Sequence, residues 1–257
     1  MSDKNILIDR THPGVTILTL NRPEKRNALN RALLEELCSA IETANNTEGQ
    51  RVIVLCGAGK VFCAGLDLKE AMNNEVAHDS AQRVAQTLKA LYSSPLVTIA
   101  AVHGAAMAGG AGLVSACDFA VAAEGFVLGY PETKRGLVAG LVMTLLRRKI
   151  QETFIRELLL LGEPITAERA LRLGLLNRVV PEEELLKEVL SVAGQVLQGA
   201  PQATAQTKRL LEDLAPSSLE EGLNKALDYH MNARLSNEAN EGIKAFLEKR
   251  EPSWTNK

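Results

Sequence analysis

Glu132 is the residue whose setting first suggests chemistry. It stands in Gly129-Tyr130-Pro131-Glu132, where a proline stiffens the chain directly before a carboxylate, and Phe126, Val127, Leu128, Leu137 and Val138 make the neighbourhood apolar. A carboxylate held in such surroundings gains a raised pKa and serves as general base or acid, whereas an ordinary exposed loop glutamate does neither. Two glycine-rich segments supply a complementary group. Gly57-Ala-Gly-Lys-Val-Phe-Cys-Ala-Gly65-Leu66-Asp67 and Gly104-Ala-Ala-Met-Ala-Gly109-Gly110-Ala-Gly112 each follow a strand pattern, and glycine lets backbone approach a ligand closely. The second run opens a helix, so its free N–H groups and the positive end of the helix dipole face whatever lies above Gly109 and Gly110, which favours developing negative charge. Neither run carries G-x-G-x-x-G with a suitably spaced acid, nor G-x-x-x-x-G-K-[ST], so dinucleotide and nucleoside-triphosphate sites are poor readings. An oxyanion site remains, set against the plainer reading that the glycines only permit tight packing.

The elements that must position these groups alternate. Val15 to Leu20 reads as a strand stopped by Asn21-Arg-Pro23, and a helix starting near Asn30 follows, with Leu33, Leu34, Leu37 and Ile41 on one face. Val52 to Leu55 is a strand, Ala81 to Leu91 a helix, and Pro95 to Val102 a fully buried strand. Gly104 to Gly112 then leads into the next helix. Alternation over roughly the first 180 residues predicts an α/β layer architecture. After Val179-Val-Pro181 the strand signal stops, and helices are expected over 183–197, 201–211, 217–234 and 237–249. Ser217-x-x-Glu220 and Asn237-x-x-Asn240 offer their N-terminal caps. The expected division is an α/β core over residues 1–198 and a helical region over 199–257. Leu219, Leu223, Leu227, Ile243, Phe246 and Leu247 make that tail apolar enough to need a surface, in its own core or in a partner subunit.

Composition narrows the function. A chain of 257 residues with 46% apolar content can bury one large core. Its 29 basic and 31 acidic residues leave a net charge of −2, with no overall attraction to nucleic acid or an anionic membrane. Cys38, Cys56, Cys63 and Cys117 sit in apolar stretches without a C-x-x-C pair, as small core residues do. No apolar run approaches the roughly 18 residues of a membrane span. A cytoplasmic, reducing-compartment protein is expected.

Several ordered motifs resemble the enoyl-CoA hydratase/isomerase (crotonase) family: Asn21-Arg-Pro-Glu-Lys-Arg-Asn-Ala-Leu-Asn30, Phe62-Cys-Ala-Gly-Leu-Asp-Leu-Lys-Glu70, Ala100-Ala-Val-His-Gly104, Ala116-Cys-Asp118, Ala167 to Leu176 and Ala245-Phe-Leu-Glu-Lys-Arg250. The resemblance spans nearly the whole chain. It implies a spiral of β-β-α repeats with a C-terminal helical trimerisation region, assembling homotrimers or hexamers made as dimers of trimers. It also implies an acyl-coenzyme A thioester substrate, with coenzyme A part of the substrate and no separate cofactor or metal. The oxyanion hole falls by motif on the N–H groups of Leu66 and Gly109, and the catalytic carboxylate on Glu132. Coenzyme A contacts map to Lys25, Arg26, Ala28, Ala64, Asp67, Leu68 and Lys69, and Lys249 matches a position that reaches the ligand of a neighbouring subunit. Gly110, Gly112, Tyr130 and Leu141 complete the expected substrate-binding set.

The sequence departs from the family pattern at two places. Hydratases of the family commonly use two glutamates, and the first falls here on Gly112, which leaves Glu132 to do the proton work. Δ3,Δ2-enoyl-CoA isomerases use one carboxylate. Bacterial methylglutaconyl-CoA hydratases of leucine breakdown also carry glycine there, and the replacement of the usual Pro-Gly-x-Gly-Gly-Thr turn by Ala139-Gly-Leu-Val-Met-Thr144 resembles such branched-substrate enzymes. Leu141 to Met143 would reshape the acyl pocket, while Lys134, Arg147 and Arg148 read first as solvated surface charges, with contact to a substrate carboxylate as the alternative. His103 and Asp118, beside strand ends, read as structural hydrogen-bonding groups. Hydration of a 2-enoyl-CoA is the leading expectation and isomerisation the runner-up. An RNA-binding relative is argued against by Arg31 standing among Glu35, Glu36 and Glu42, and an idle coenzyme A binder is the remaining alternative.

Overall fold

The computed structural model describes residues 4–72, 74–215 and 217–255. Nine strands and eleven helices follow in chain order among them. They are β1 (Ile6–Asp9), β2 (Val15–Leu20), α1 (Arg31–Asn46), β3 (Val52–Gly57), α2 (Leu68–Ala71), α3 (Asn74–Tyr92), β4 (Val97–Val102), β5 (Ala105–Met107), α4 (Gly109–Ala116), β6 (Phe119–Ala123), β7 (Val127–Gly129), α5 (Gly140–Leu146), α6 (Glu152–Leu161), β8 (Ile165–Thr166), α7 (Ala167–Arg172), β9 (Arg178–Val180), α8 (Leu185–Gln198), α9 (Pro201–Leu214), α10 (Leu219–Arg234) and α11 (Asn237–Leu247). No helix among the described residues is long and apolar enough to cross a membrane.

A six-stranded sheet runs β1-β2-β3-β4-β6-β9, parallel except for the β1–β2 pair, and a three-stranded sheet runs β5-β7-β8. The long strands are apolar at nearly every position because both faces of the large sheet are covered. Leu18, Ile53, Leu55, Ala100 and Val102 pack toward α1, α3 and α4, while Val15, Val52, Val54, Ile99 and Val121 pack toward α8. Successive turns of the chain place one strand in the large sheet, one short strand or bridge in the small layer, and then a helix: β3, Cys63 and α3; β4, β5 and α4; β6, β7 and α5. This is the predicted β-β-α spiral, and a helical C-terminal region follows it. Sequence reading missed the small layer, because strands as short as Ala105–Met107 show no period of their own.

Helix starts differ by one residue from expectation. Ser218, not Ser217, caps α10, its hydroxyl accepting from Glu221 N–H while the Glu221 carboxylate accepts from Ser218 N–H. Ser236, not Asn237, caps α11. Both corrections have one cause: adjacent residues of cap type are told apart only by which one lies outside the helical turn. His103 and Asp118 hold the roles expected of them. His103 Nε2 lies 2.8 Å from Gly59 O, and Asp118 accepts from Thr98 N and from Lys208 Nζ at 2.8 and 2.7 Å, tying α9 to the core.

Asn27 is fully buried and organises the loop behind the first glycine-rich run. Its Nδ2 donates to Ala58 O, Val61 O and Phe62 O, and its Oδ1 accepts from Arg22 N. Arg26 and Asn27 both take left-handed backbone, at φ 52° and 54°, a region asparagine tolerates better than most residues. Replacing Asn27 with Ala orphans several buried carbonyls at once, and a loss of about 3 kcal/mol is expected. A denaturant midpoint within error of the wild type would show that the loop is held by other means.

Candidate active site

Five backbone stretches meet through hydrogen bonds of strand type. Leu29 bridges Leu66, Cys63 bridges Ala106, and β5 pairs with β7, whose other edge pairs with β8. Individual bonds fix the order: Ala64 N donates to Arg26 O, Leu29 N to Gly65 O, Asp67 N to Leu29 O, Met107 N to Cys63 O, and Ala108 N to Gly129 O. Gly65 is required where the first two runs touch, for its φ is +93° and an added Cβ would lie 2.8 Å from Met107 O. The residues that follow that contact, Leu66 and Gly109, thus sit side by side. Among the described residues, neither of their N–H groups donates within the protein. The Gly109 N–H also belongs to the first turn of α4, where the helix supplies no acceptor. Ala108, immediately before it, is held at φ 50° and ψ −119°, a strained conformation for a residue with a Cβ.

These groups open onto a cleft of about 690 Å³ that Glu132 also lines. Glu132 precedes a short 3-10 turn, Thr133–Arg135, and is half-buried. Its Oε2 is enclosed with no hydrogen-bond partner. Burial pushes the carboxyl pKa above its ordinary value, against the opposing pull of its own backbone N–H and of the Arg135 charge. A buried carboxylate oxygen without a donor calls for an explanation, and together with a raised pKa it makes Glu132 the candidate acid or base of this cleft.

Lys25, Arg26, Ala28, Ala64, Leu66, Asp67, Lys69, Gly109 and Glu132, all expected at the site, line this cleft together. Asp67 also braces the rim. It pairs with Arg22 at 3.3 Å while Arg22 donates to Ala28 O, which clamps the two stretches together. The side chain of Leu68 lies outside the described residues. Lys249 follows α11 with a left-handed backbone and does not line this chain's own cleft.

Four other residues expected at the site do not line this cleft. Gly110 packs on Cys63, whose O would lie 2.6 Å from an added Cβ. Gly112 packs into the interior, 2.7 Å by the same measure from Val142 Cγ1 and 3.4 Å from Leu88 Cδ2, so α5 fills the space a glutamate side chain would need. Tyr130 is fully buried and shares a 2.9 Å hydrogen bond with Ser115 Oγ; its ring packs in the core, and burial raises its pKa. Leu141, on α5, is among the exposed side chains and outside the cleft lining. Arg147 and Arg148 line a separate concavity with Lys149 and Arg172, and Lys134, though in the cleft, is paired with Glu163.

The residues that sequence reading missed are Asn27, Arg22 and Ala108. Only the run of polar residues Arg26-Asn27 directly after a strand-ending loop signalled the first.

Known proteins share this arrangement. Residues 10–257 match the family model described as enoyl-CoA hydratase/isomerase. The crystal structure of an enoyl-CoA hydratase from Bacillus anthracis superposes with a TM-score of 0.94 at 34% identity, covering 99% of this chain and 100% of that one. An enoyl-CoA hydratase from Mycobacterium smegmatis gives 0.93 at 34% identity, over 98% and 99%. The 2,3-dehydroadipyl-CoA hydratase of Escherichia coli is 34% identical over 252 residues, 96% of this chain and 98% of that protein.

Because its pKa is raised, Glu132 lowers stability at neutral pH. The folded state holds this proton more tightly than the unfolded one, so the stability contributed here is full below the ordinary carboxyl value of 4.5 and is lost as pH rises through the folded-state pKa. Glu132→Gln removes the buried charge. The variant is therefore expected to be more stable than wild type at neutral pH, with the gap closing in acid; equal melting temperatures at neutral pH would contradict it.

Proposed function

The chain belongs to the enoyl-CoA hydratase/isomerase family, and on that premise we propose that it adds water across the double bond of a 2-enoyl-CoA. The observation that carries this reading is the enclosed, unpartnered Oε2 of Glu132, a residue that lines the same cleft as Leu66 and Gly109, whose N–H groups are unpaired among the described residues. Glu132 takes a proton from water as the water oxygen bonds to Cβ. The double-bond electrons move onto the thioester oxygen, where the two N–H groups hold the enolate, each contributing a few kcal/mol. The proton on Glu132 then passes to Cα, giving the 3-hydroxyacyl-CoA and restoring the carboxylate. Position 112, where hydratases of the family commonly carry a second glutamate, is a glycine packed against Val142, so we give both proton steps to Glu132.

Lys25, Arg26 and Lys69 suit the phosphates of coenzyme A at one end of the cleft. The acyl group we propose is short and branched, of the methylglutaconyl type, on the strength of the Ala139–Thr144 replacement. A cytoplasmic setting fits the four free thiols. We also propose that the chain works as a homotrimer or a hexamer, because α10 and α11 expose Leu219, Leu223, Leu227, Phe246 and Leu247, with Phe246 83% accessible.

Two measurements test these readings. Wild type and Glu132→Gln are incubated with crotonyl-, 3-methylglutaconyl- and 3-hexenoyl-CoA and the products weighed by mass spectrometry. Gain of one water by a 2-enoyl substrate, lost at least about 100-fold in the variant, is expected. A 3-hexenoyl-CoA that isomerises without hydration would replace the hydratase reading, and turnover indifferent to Glu132 would end both. Light scattering on the purified protein should return three or six chain masses; a monomer would refute the assembly.

A further inference from the structure

The cleft holds a cation that the hydration steps leave unused. Its floor runs in hydrogen-bonded order from Leu29 to Leu66 and Cys63, then Ala106, Leu128 and Ile165. Lys25 and Arg26 therefore belong to one end of the floor, and residues 131–137 leave it from β7 near the other. Neighbouring strands lie about 4.8 Å apart, which separates Leu29 from Leu128 by roughly 15 Å. With the thioester oxygen at Leu66 and Gly109 and the nucleotide end at Lys25 and Arg26, the acyl group extends toward residues 131–137.

Two cations from that end line the cleft, Lys134 and Arg135. Lys134 is neutralised by Glu163. Arg135 has no carboxylate partner among the described residues; its single hydrogen bond runs from Nη1 to Pro131 O at 3.2 Å. It is exposed, and it stands one 3-10 turn beyond Glu132, near enough for its charge to oppose the rise in the Glu132 pKa. A guanidinium keeps a planar fork of further donors, the geometry that matches a carboxylate. An acyl chain ending in a carboxylate would otherwise bring a second negative charge beside Glu132.

We propose that Arg135 recognises a carboxylate at the far end of the acyl chain, so that a short dicarboxylic 2-enoyl-CoA is preferred over the monocarboxylic chain of equal length. This assignment rests on the hydratase reading for the direction of the acyl group.

Wild type and Arg135→Gln are compared on 2-hexenedioyl-CoA and 2-hexenoyl-CoA, which have the same number of carbons and differ in the terminal carboxylate. The ratio of their kcat/KM values is expected to fall about 30-fold in the variant, as for loss of a charge-assisted hydrogen bond, with Arg135→Lys recovering part of it. A ratio unmoved by the substitution overturns the proposal, whether the two rates fall together, as loss of a coenzyme A contact would make them, or both hold. If wild type hydrates neither compound, the hydratase reading fails separately, and calorimetry with the saturated adipyl- and hexanoyl-CoA decides. A preference for adipyl-CoA that Arg135→Gln abolishes sustains the role of Arg135, and equal affinities overturn it.

Discussion

Two peptide N–H groups left without an acceptor, those of Leu66 and Gly109, are the constraint around which this fold is arranged. A backbone donor withheld from hydrogen bonding costs about 1–3 kcal/mol when it is shielded from water, so the chain around it must be held from both sides. The holding is visible residue by residue. Gly65 O and Asp67 N on either side of Leu66 are both spent on Leu29, and Ala108 N, directly before Gly109, is spent on Gly129. Ala108, at positive φ, shows the cost, since its backbone is strained and stays so only because the strand bonds on both sides determine it.

Glu132 is maintained by the same balance of local cost against surrounding structure. Its carboxylate is partly desolvated, its Oε2 has no donor among the described residues, and the charge of the exposed Arg135 opposes the rise in its pKa. That environment raises the proton affinity of the group. Behind it the packing is close. Val142 lies against Gly112, and Tyr130 satisfies its hydroxyl on Ser115 rather than on anything in the cleft. The packing of α5 on α4 thus leaves no room at Gly112 for a glutamate without displacing Val142.

The large sheet and its helices were legible in the chain because burial on two faces writes continuous apolar runs, and Val15–Leu20, Val52–Gly57 and Val97–Val102 lie where those runs lie. The small layer was not legible. Its strands are two or three residues long, and their pairing joins segments far apart in the chain, so nothing local marks them. Cap positions slipped for a related reason, since Ser217 and Ser218 differ only in which one the helix leaves outside.

By itself, the sequence determined the family, the α/β core with its helical end, and the carboxylate at Glu132 between apolar neighbours, all of which follow from motif order and from periodicity along one stretch of chain. Only the tertiary structure decided which glycines line the cleft. Gly109 opens the cleft, while Gly110 rests on Cys63 and Gly112 on Val142, although all three belong to one short run. The same holds for the cations: Lys134 is neutralised by Glu163, Arg147 and Arg148 turn to another concavity, and Arg135 stands beside Glu132 with no carboxylate partner among the described residues. Helical rotation turns each successive residue by about 100°, and partners come from distant parts of the chain, so direction and pairing exist only once the chain is folded.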